Sequence, residues 1–299
     1  MYNFPKGFYS DVRIEDVFNT LLVYNMGNLE QQRVREHKGA FIRLFDGKRW
    51  YYASLTDVND IQNKLDHLAS MACFNDNILK DPVVKKLLKT KGKKLIFQDG
   101  SVRDIPLSEK KELIETRFSL LSGRPSISYW RVMYIDKNVK KEFYSSKGSE
   151  LSFDIQKTGT HFSFKMTDGD RTFQESIQSS RDYFTELEAT LSTIPEDLDM
   201  NERFMKNSSP ITPGKYQVIL SPKAAGVFAH ESFGHKSEAD FMLGDETMKN
   251  EWALDKKIGP DFLSIVDDGT ISGSGYTPWD DEGTPAQKTF LIKDGVLAG

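Results

Sequence analysis

The sequence predicts an α+β fold: an amino-terminal domain of antiparallel sheet with packed helices, then the start of a second β-rich domain carrying an H-E-x-x-x-H helix. Three observations predict it. Glycine- and aspartate-centred turns separate apolar runs that alternate with period two, as hairpins do. Three stretches place apolar residues at helical spacing. A polar segment, Asn207-Ser208-Ser209-Pro210-Ile211-Thr212-Pro213-Gly214, then breaks the pattern. The predicted domains are therefore 1–206 and 215–299.

Each element follows from its residues. Val12-Arg13-Ile14-Glu15 alternates like a half-buried strand. Phe41-Ile42-Arg43-Leu44-Phe45 and Arg49-Trp50-Tyr51-Tyr52-Ala53 flank Asp46-Gly47-Lys48, a hairpin signal. A helix follows, with Thr56 as N-cap, Asp57 in the first turn, and Val58, Ile61, Leu65, Leu68 and Ala72 on its apolar face. His67 lies on it with no assigned role. A second helix fits 108–121, with Leu113, Ile114, Phe118 and Leu121 inward. Strands fit 126–134 and 142–146, joined by a turn at Ile135-Asp136-Lys137-Asn138. Two more fit 161–166 and 171–177 around Thr167-Asp168-Gly169-Asp170, with His161 exposed, and a third helix fits 180–191. Beyond the linker, Tyr216-Gln217-Val218-Ile219-Leu220 reads as a buried strand entering a helix capped by Ser221, with Pro222 at its first position.

Composition narrows the function. The 299 residues are 38% hydrophobic and 12% aromatic, so the chain is globular. Forty basic against 44 acidic residues leave a net charge of −4, which argues against nucleic acid or an anionic membrane as the main partner. The lysine-rich run 85–94 reads as a solvated surface insertion. One cysteine, Cys73, precludes an internal disulfide framework and reads as a small buried hydrophobe. With no apolar signal core in the first 30 residues and no membrane-length apolar stretch, the expected compartment is the cytoplasm.

The chemistry concentrates in His230-Glu231-Ser232-Phe233-Gly234-His235. Neutral imidazoles are good zinc ligands, and a neighbouring carboxylate can take a proton from a water at the ion. The commonest zinc-protease motif spaces its histidines i, i+4; here the spacing is i, i+5. On an undistorted helix that puts the second side chain about 140° around from the first, with Cα atoms roughly 9 Å apart instead of roughly 6 Å. A π-bulge would bring both rings into line, and Gly234 marks a cheap place for distortion. Two ligands are short of the usual three protein ligands of catalytic zinc. Glu238, Asp240, Asp245 and Glu246 are downstream candidates, each more commonly a solvated carboxylate.

These residues, with their flanks, resemble the TldD/PmbA family of metallopeptidases. The resemblance runs from Val218-Ile219-Leu220-Ser221-Pro222 through the hexapeptide to Glu238-Ala239-Asp240. It continues in Ile265-Val266-Asp267-Asp268-Gly269-Thr270, in Asp280-Asp281-Glu282-Gly283-Thr284-Pro285-Ala286 and in the segment 289–297. It is weaker over the first 200 residues, where 9–15, 38–56 and 144–150 look like family strands and a turn. What it implies is proteolysis of peptides or unfolded segments by one divalent metal ion, zinc. His230 and His235 would be ligands and Glu231 the general base. It also implies a homo- or heterodimer with a related subunit. Members of the PmbA type generally lack the motif, so this chain resembles the active TldD type. The family's third ligand is a cysteine downstream of position 299, so the expectation is a truncated chain whose activity is in doubt. The competing reading is a non-catalytic partner or assembly subunit. Asp280, Asp281 and Glu282 either rim the cleft or form an acidic turn.

Overall fold

Long runs of alternating burial generate the main sheet of the computed structural model, which describes residues 2–240 and 242–299. The elements run β1 (Tyr9–Asn25), β2 (Asn28–Phe45), β3 (Trp50–Leu55), α1 (Ile61–Met71), α2 (Pro82–Lys86), β4 (Lys91–Lys94), α3 (Leu107–Glu115), α4 (Phe118–Ser122), β5 (Ile127–Ser145), β6 (Glu150–Asp168), β7 (Arg171–Arg181), α5 (Phe184–Thr190), α6 (Ile194–Asn207), α7 (Pro222–Ala229), α8 (Glu246–Glu251), β8 (Ile265–Asp268), β9 (Lys288–Lys293) and β10 (Val296–Leu297). They divide into two compact units, 2–208 with 272–285, and 209–271 with 286–299.

In the first unit the strand order is β3-β2-β1-β5-β6, and β4 and β7 share the far edge of β6. All pairings are antiparallel except that of β4 with β6. One face is the core. Val12, Ile14 and Ile42 meet Ile61, Leu65 and Leu68 of α1, each worth about 1.5–3 kcal/mol when buried. At the other end Leu22, Trp130, Val132 and Phe162 meet α3 to α6 through Ile114, Leu121, Leu187 and Leu198. The α+β architecture read from the sequence is present. So is the Asp46 hairpin, where the Asp46 carboxylate accepts the amides of Lys48 and Arg49, each at 2.8 Å.

Several boundaries differ for identifiable reasons. The turn expected at 135–138 does not exist, because β5 runs unbroken through it. Asp136 and Asn138 are fully buried there and bonded to other elements, Asp136 to the amide of Thr20 and Asn138 to Gln156. The helix at 108–121 breaks between Glu115 and Phe118. The third helix begins at Phe184 and is followed by α6, unanticipated, with Pro195 in its first turn. Asp57, not Thr56, caps the entry to α1 by accepting the Asn59 amide. Cys73 is exposed, because α1 ends at Met71. His161 is half-buried. Part of the lysine run is strand β4, and a Cβ on Gly92 within it would lie 2.5 Å from the Trp279 ring.

Trp279 belongs to the segment 272–285, which lies on the opposite face of the sheet and packs against Phe153. Its acidic turn is tied down by charge. Glu282 pairs with Arg43 at 2.9 Å, and Asp281 with Arg13 and Lys141, both at 3.3 Å.

The second unit is smaller. Strands β8, β9 and β10 form an antiparallel sheet, and the β9–β10 hairpin turns on Asp294 (φ 50°) and Gly295 (φ 77°). The buried strand expected at 216–220 is not formed. Nothing among the described residues pairs with it, and Ile219 is 100% exposed. An apolar run becomes a strand only where another backbone takes up its hydrogen bonds.

Candidate metal centre

The helix that leads to the histidines starts as its residues dictate. The Ser221 hydroxyl accepts the Ala224 amide at 3.3 Å, and Pro222 occupies the first turn. Because 216–220 is not a strand, this helix is entered from exposed, irregular chain.

From His230 to Gly234 the helix is a π-turn, and the His235 amide donates to the carbonyl of His230, five residues back. This is the distortion that the i, i+5 spacing demands. The imidazole rings of His230 and His235 lie edge to face, centroids 4.5 Å apart. One donor atom from each of His230, Glu231 and His235 lies within 4.8 Å of the others, all three side chains being solvent-accessible. Two nitrogens sharing a tetrahedral zinc at about 2.05 Å would sit about 3.3 Å apart, so small side-chain rotations would let both reach one ion. The donor set, two imidazoles beside a carboxylate, suits zinc.

The surroundings hold the turn in place. Glu238 lies 2.8 Å from Nδ1 of His235, and Nε2 of the same ring lies 3.7 Å from the Glu231 carboxylate. Sequence reasoning took Glu238 as a possible ligand and missed this supporting contact; its position three residues after His235 was the available signal. On the other side Phe233 packs between Phe228 and Trp252, and the indole N–H of Trp252 donates to the Ser237 hydroxyl at 3.1 Å.

The other candidates are placed elsewhere. Asp245 caps α8 through the Met248 amide, and Glu246 pairs with Lys249. Asp240 is outside the three-residue group. Asp280, Asp281 and Glu282 form an acidic turn on the sheet of the first unit. Gly234 has ordinary helical torsions, φ −58° and ψ −56°, so the π-turn does not depend on glycine's freedom.

An α+β chain with a histidine–glutamate–histidine π-turn gathers side chains of the kinds that metal sites use. Residues 10–75 match the PmbA/TldA metallopeptidase domain 1, and 213–299 match the PmbA/TldA metallopeptidase C-terminal domain. The chain belongs to the TldD/PmbA family. It is 24% identical over 296 residues to a metalloprotease of Methanocaldococcus jannaschii, covering 97% of this chain and 65% of that protein. It is 26% identical over 307 residues to a zinc metalloprotease TldD homolog of Saccharolobus solfataricus, covering 97% and 63%. It thus spans a little under two thirds of the length of these relatives. A Thermotoga maritima protein described as a modulator of DNA gyrase shares the fold, with TM-score 0.77 at 17% identity, over 98% of this chain and 66% of that one.

Proposed function

We propose that the protein works in metal-dependent proteolysis of peptides or unfolded segments. His230 and His235 hold one divalent ion, zinc, and Glu231 is the general base. The observation that carries this is the π-turn, which gathers both imidazoles and the carboxylate within 4.8 Å. Relatives named as metalloproteases, one of them as a zinc enzyme, support the same reading. A bound ion would supply Lewis acidity for the scissile carbonyl and for the attacking water. Glu231 takes the proton of the attacking water and passes it to the leaving amine. Glu238 holds the His235 ring in orientation. The working form is a homo- or heterodimer with a related subunit. The compartment is the cytoplasm, in keeping with a single cysteine and with no helix among the described residues long and apolar enough to cross a membrane.

A second reading, a non-catalytic partner subunit, draws on the two-imidazole donor set, since catalytic zinc ordinarily has three protein ligands. Metal analysis and a peptidase assay decide between them. Wild type should carry about one zinc per functional site, and His230→Ala or His235→Ala should lose it. Glu231→Gln should keep the metal and lower kcat by roughly 10²- to 10⁴-fold. A metal-free, inactive wild type that still pairs with a related subunit would establish the second reading.

A further inference from the structure

Beyond the candidate metal centre, the open face of the main sheet carries a row of cations without ion-pair partners among the described residues. Asn19 stands directly opposite Arg35 on one side and Lys137 on the other, and Lys137 stands directly opposite Lys157. These four side chains cross β2, β1, β5 and β6 in a single line. Arg33 lies two residues from Arg35 on the same face, opposite Leu21, which in turn faces Ile135.

Neighbouring strands are about 4.8 Å apart, and like charges directly opposite one another destabilise a sheet. Lys137 and Lys157 are such a pair. None of Arg33, Arg35, Lys137 and Lys157 forms an ion pair among the described residues. Asp182 lies within electrostatic reach of Lys157 and accepts the Gly273 amide at 2.8 Å. Arg33, Arg35 and Lys137 are exposed, as is Ile135 at 47%. The segment 272–285 neutralises Arg13, Arg43 and Lys141 at one end of the face and reaches Asp182, beside half-buried Lys157, at the other, while Arg33, Arg35 and Lys137 stay exposed. In a chain of net charge −4, a cluster of cations at some energetic cost calls for an anionic partner.

The two rows also limit what that partner is. They contain no Phe, Tyr or Trp, so the stacking platform on which sheet faces bind single-stranded nucleic acid is missing. Leu21 and Ile135 lie among the cations instead. Along each strand the side chains of one face repeat every 6.4–6.8 Å or so, the repeat of an extended peptide laid parallel to the strands.

We propose that this face binds an acidic, extended polypeptide segment, its carboxylates on Arg33, Arg35, Lys137 and Lys157 and its apolar side chains on Leu21 and Ile135. The test is fluorescence anisotropy on the full chain with three labelled probes: an alternating Glu-Leu peptide, an alternating Lys-Leu peptide and oligo(dT). The Glu-Leu peptide should bind, and more weakly as salt rises. Lys137→Glu/Lys157→Glu should weaken it by about tenfold or more, with Lys137→Gln/Lys157→Gln as the milder variant. Lys137→Gln alone should hold or raise the melting temperature, because it relieves a like-charge pair. The proposal is overturned if the reversed variant binds the acidic peptide as wild type does, if the Lys-Leu peptide binds equally, or if oligo(dT) binds more tightly. A fall in melting temperature for Lys137→Gln would also sink it, since the lysine would then be serving the fold.

Discussion

Asp136 shows how far a single residue's meaning depends on its partners. Its carboxylate accepts the Thr20 amide at 2.9 Å and the Tyr134 hydroxyl at 2.8 Å, and it pairs with the Lys110 ammonium at 2.7 Å. Lys110 also donates to the Val102 carbonyl and the Thr20 hydroxyl, so both buried charges are fully engaged. Removing one partner strands the other. Lys110→Met is expected to cost about 3–5 kcal/mol in urea unfolding. Burial holds the Lys110 ammonium below its ordinary value of 10.5, against the pull of Asp136. Between that lowered value and 10.5 the unfolded chain binds the proton and the folded chain does not. Stability from this group should therefore rise with pH up to about 10.5, the unfolded value, and Lys110→Met should remove that slope. A wild type whose stability is flat across the window would contradict the assignment.

At the level of elements, the π-turn is set by its five-residue spacing and by the packing of Phe233, with no part played by glycine's freedom. A Cβ on Gly234 would lie 3.8 Å from the Ala229 carbonyl oxygen and 3.9 Å from His230 Nδ1, ordinary contacts. Gly234→Ala should therefore be tolerated and should stabilise by roughly 0.4–1 kcal/mol, since it restricts the unfolded chain. Zinc titration of the variant should match wild type; lost binding together with lost stability would mean that the turn needs glycine after all. The strands make the complementary point. Asp-Gly pairs and alternation located the Asp46 and Gly169 hairpins, because a turn and its flanking strands are close in sequence.

Across the whole molecule the two units differ sharply in core. Among the described residues, the four hydrophobic clusters lie in the first unit. In the second, the buried apolar side chains among the described residues are Ile292 and Leu297, while Ile219, Phe262 and Leu243 are at least 80% exposed. Local opening free energy follows buried contacts. Amide exchange should therefore be slow through β1, β5 and β6 and orders of magnitude faster through 209–271. Equal protection in both units would refute this, whereas slow exchange appearing in 216–220 only on adding a related subunit would identify what covers that run.

Legible in the chain alone were the α+β class, the Asp46 and Gly169 hairpins, the apolar face of α1 and the grouping of His230, Glu231 and His235 on a π-turn that their spacing demands. These features arise between residues that are near in the chain, where turn geometry and helical pitch leave few options. The continuity of β5, the contact of Glu238 with His235, the place of 272–285 in the first unit and the unpaired run 216–220 came from the folded chain. Those outcomes depend on which groups meet in space. Asp136 meets an amide 116 residues away, and the acidic turn at 280–282 meets cations on β1, β2 and β5. A polar residue in a strand looks like a turn until its distant partner is known, and an apolar run looks buried until the backbone that would pair with it proves to be elsewhere.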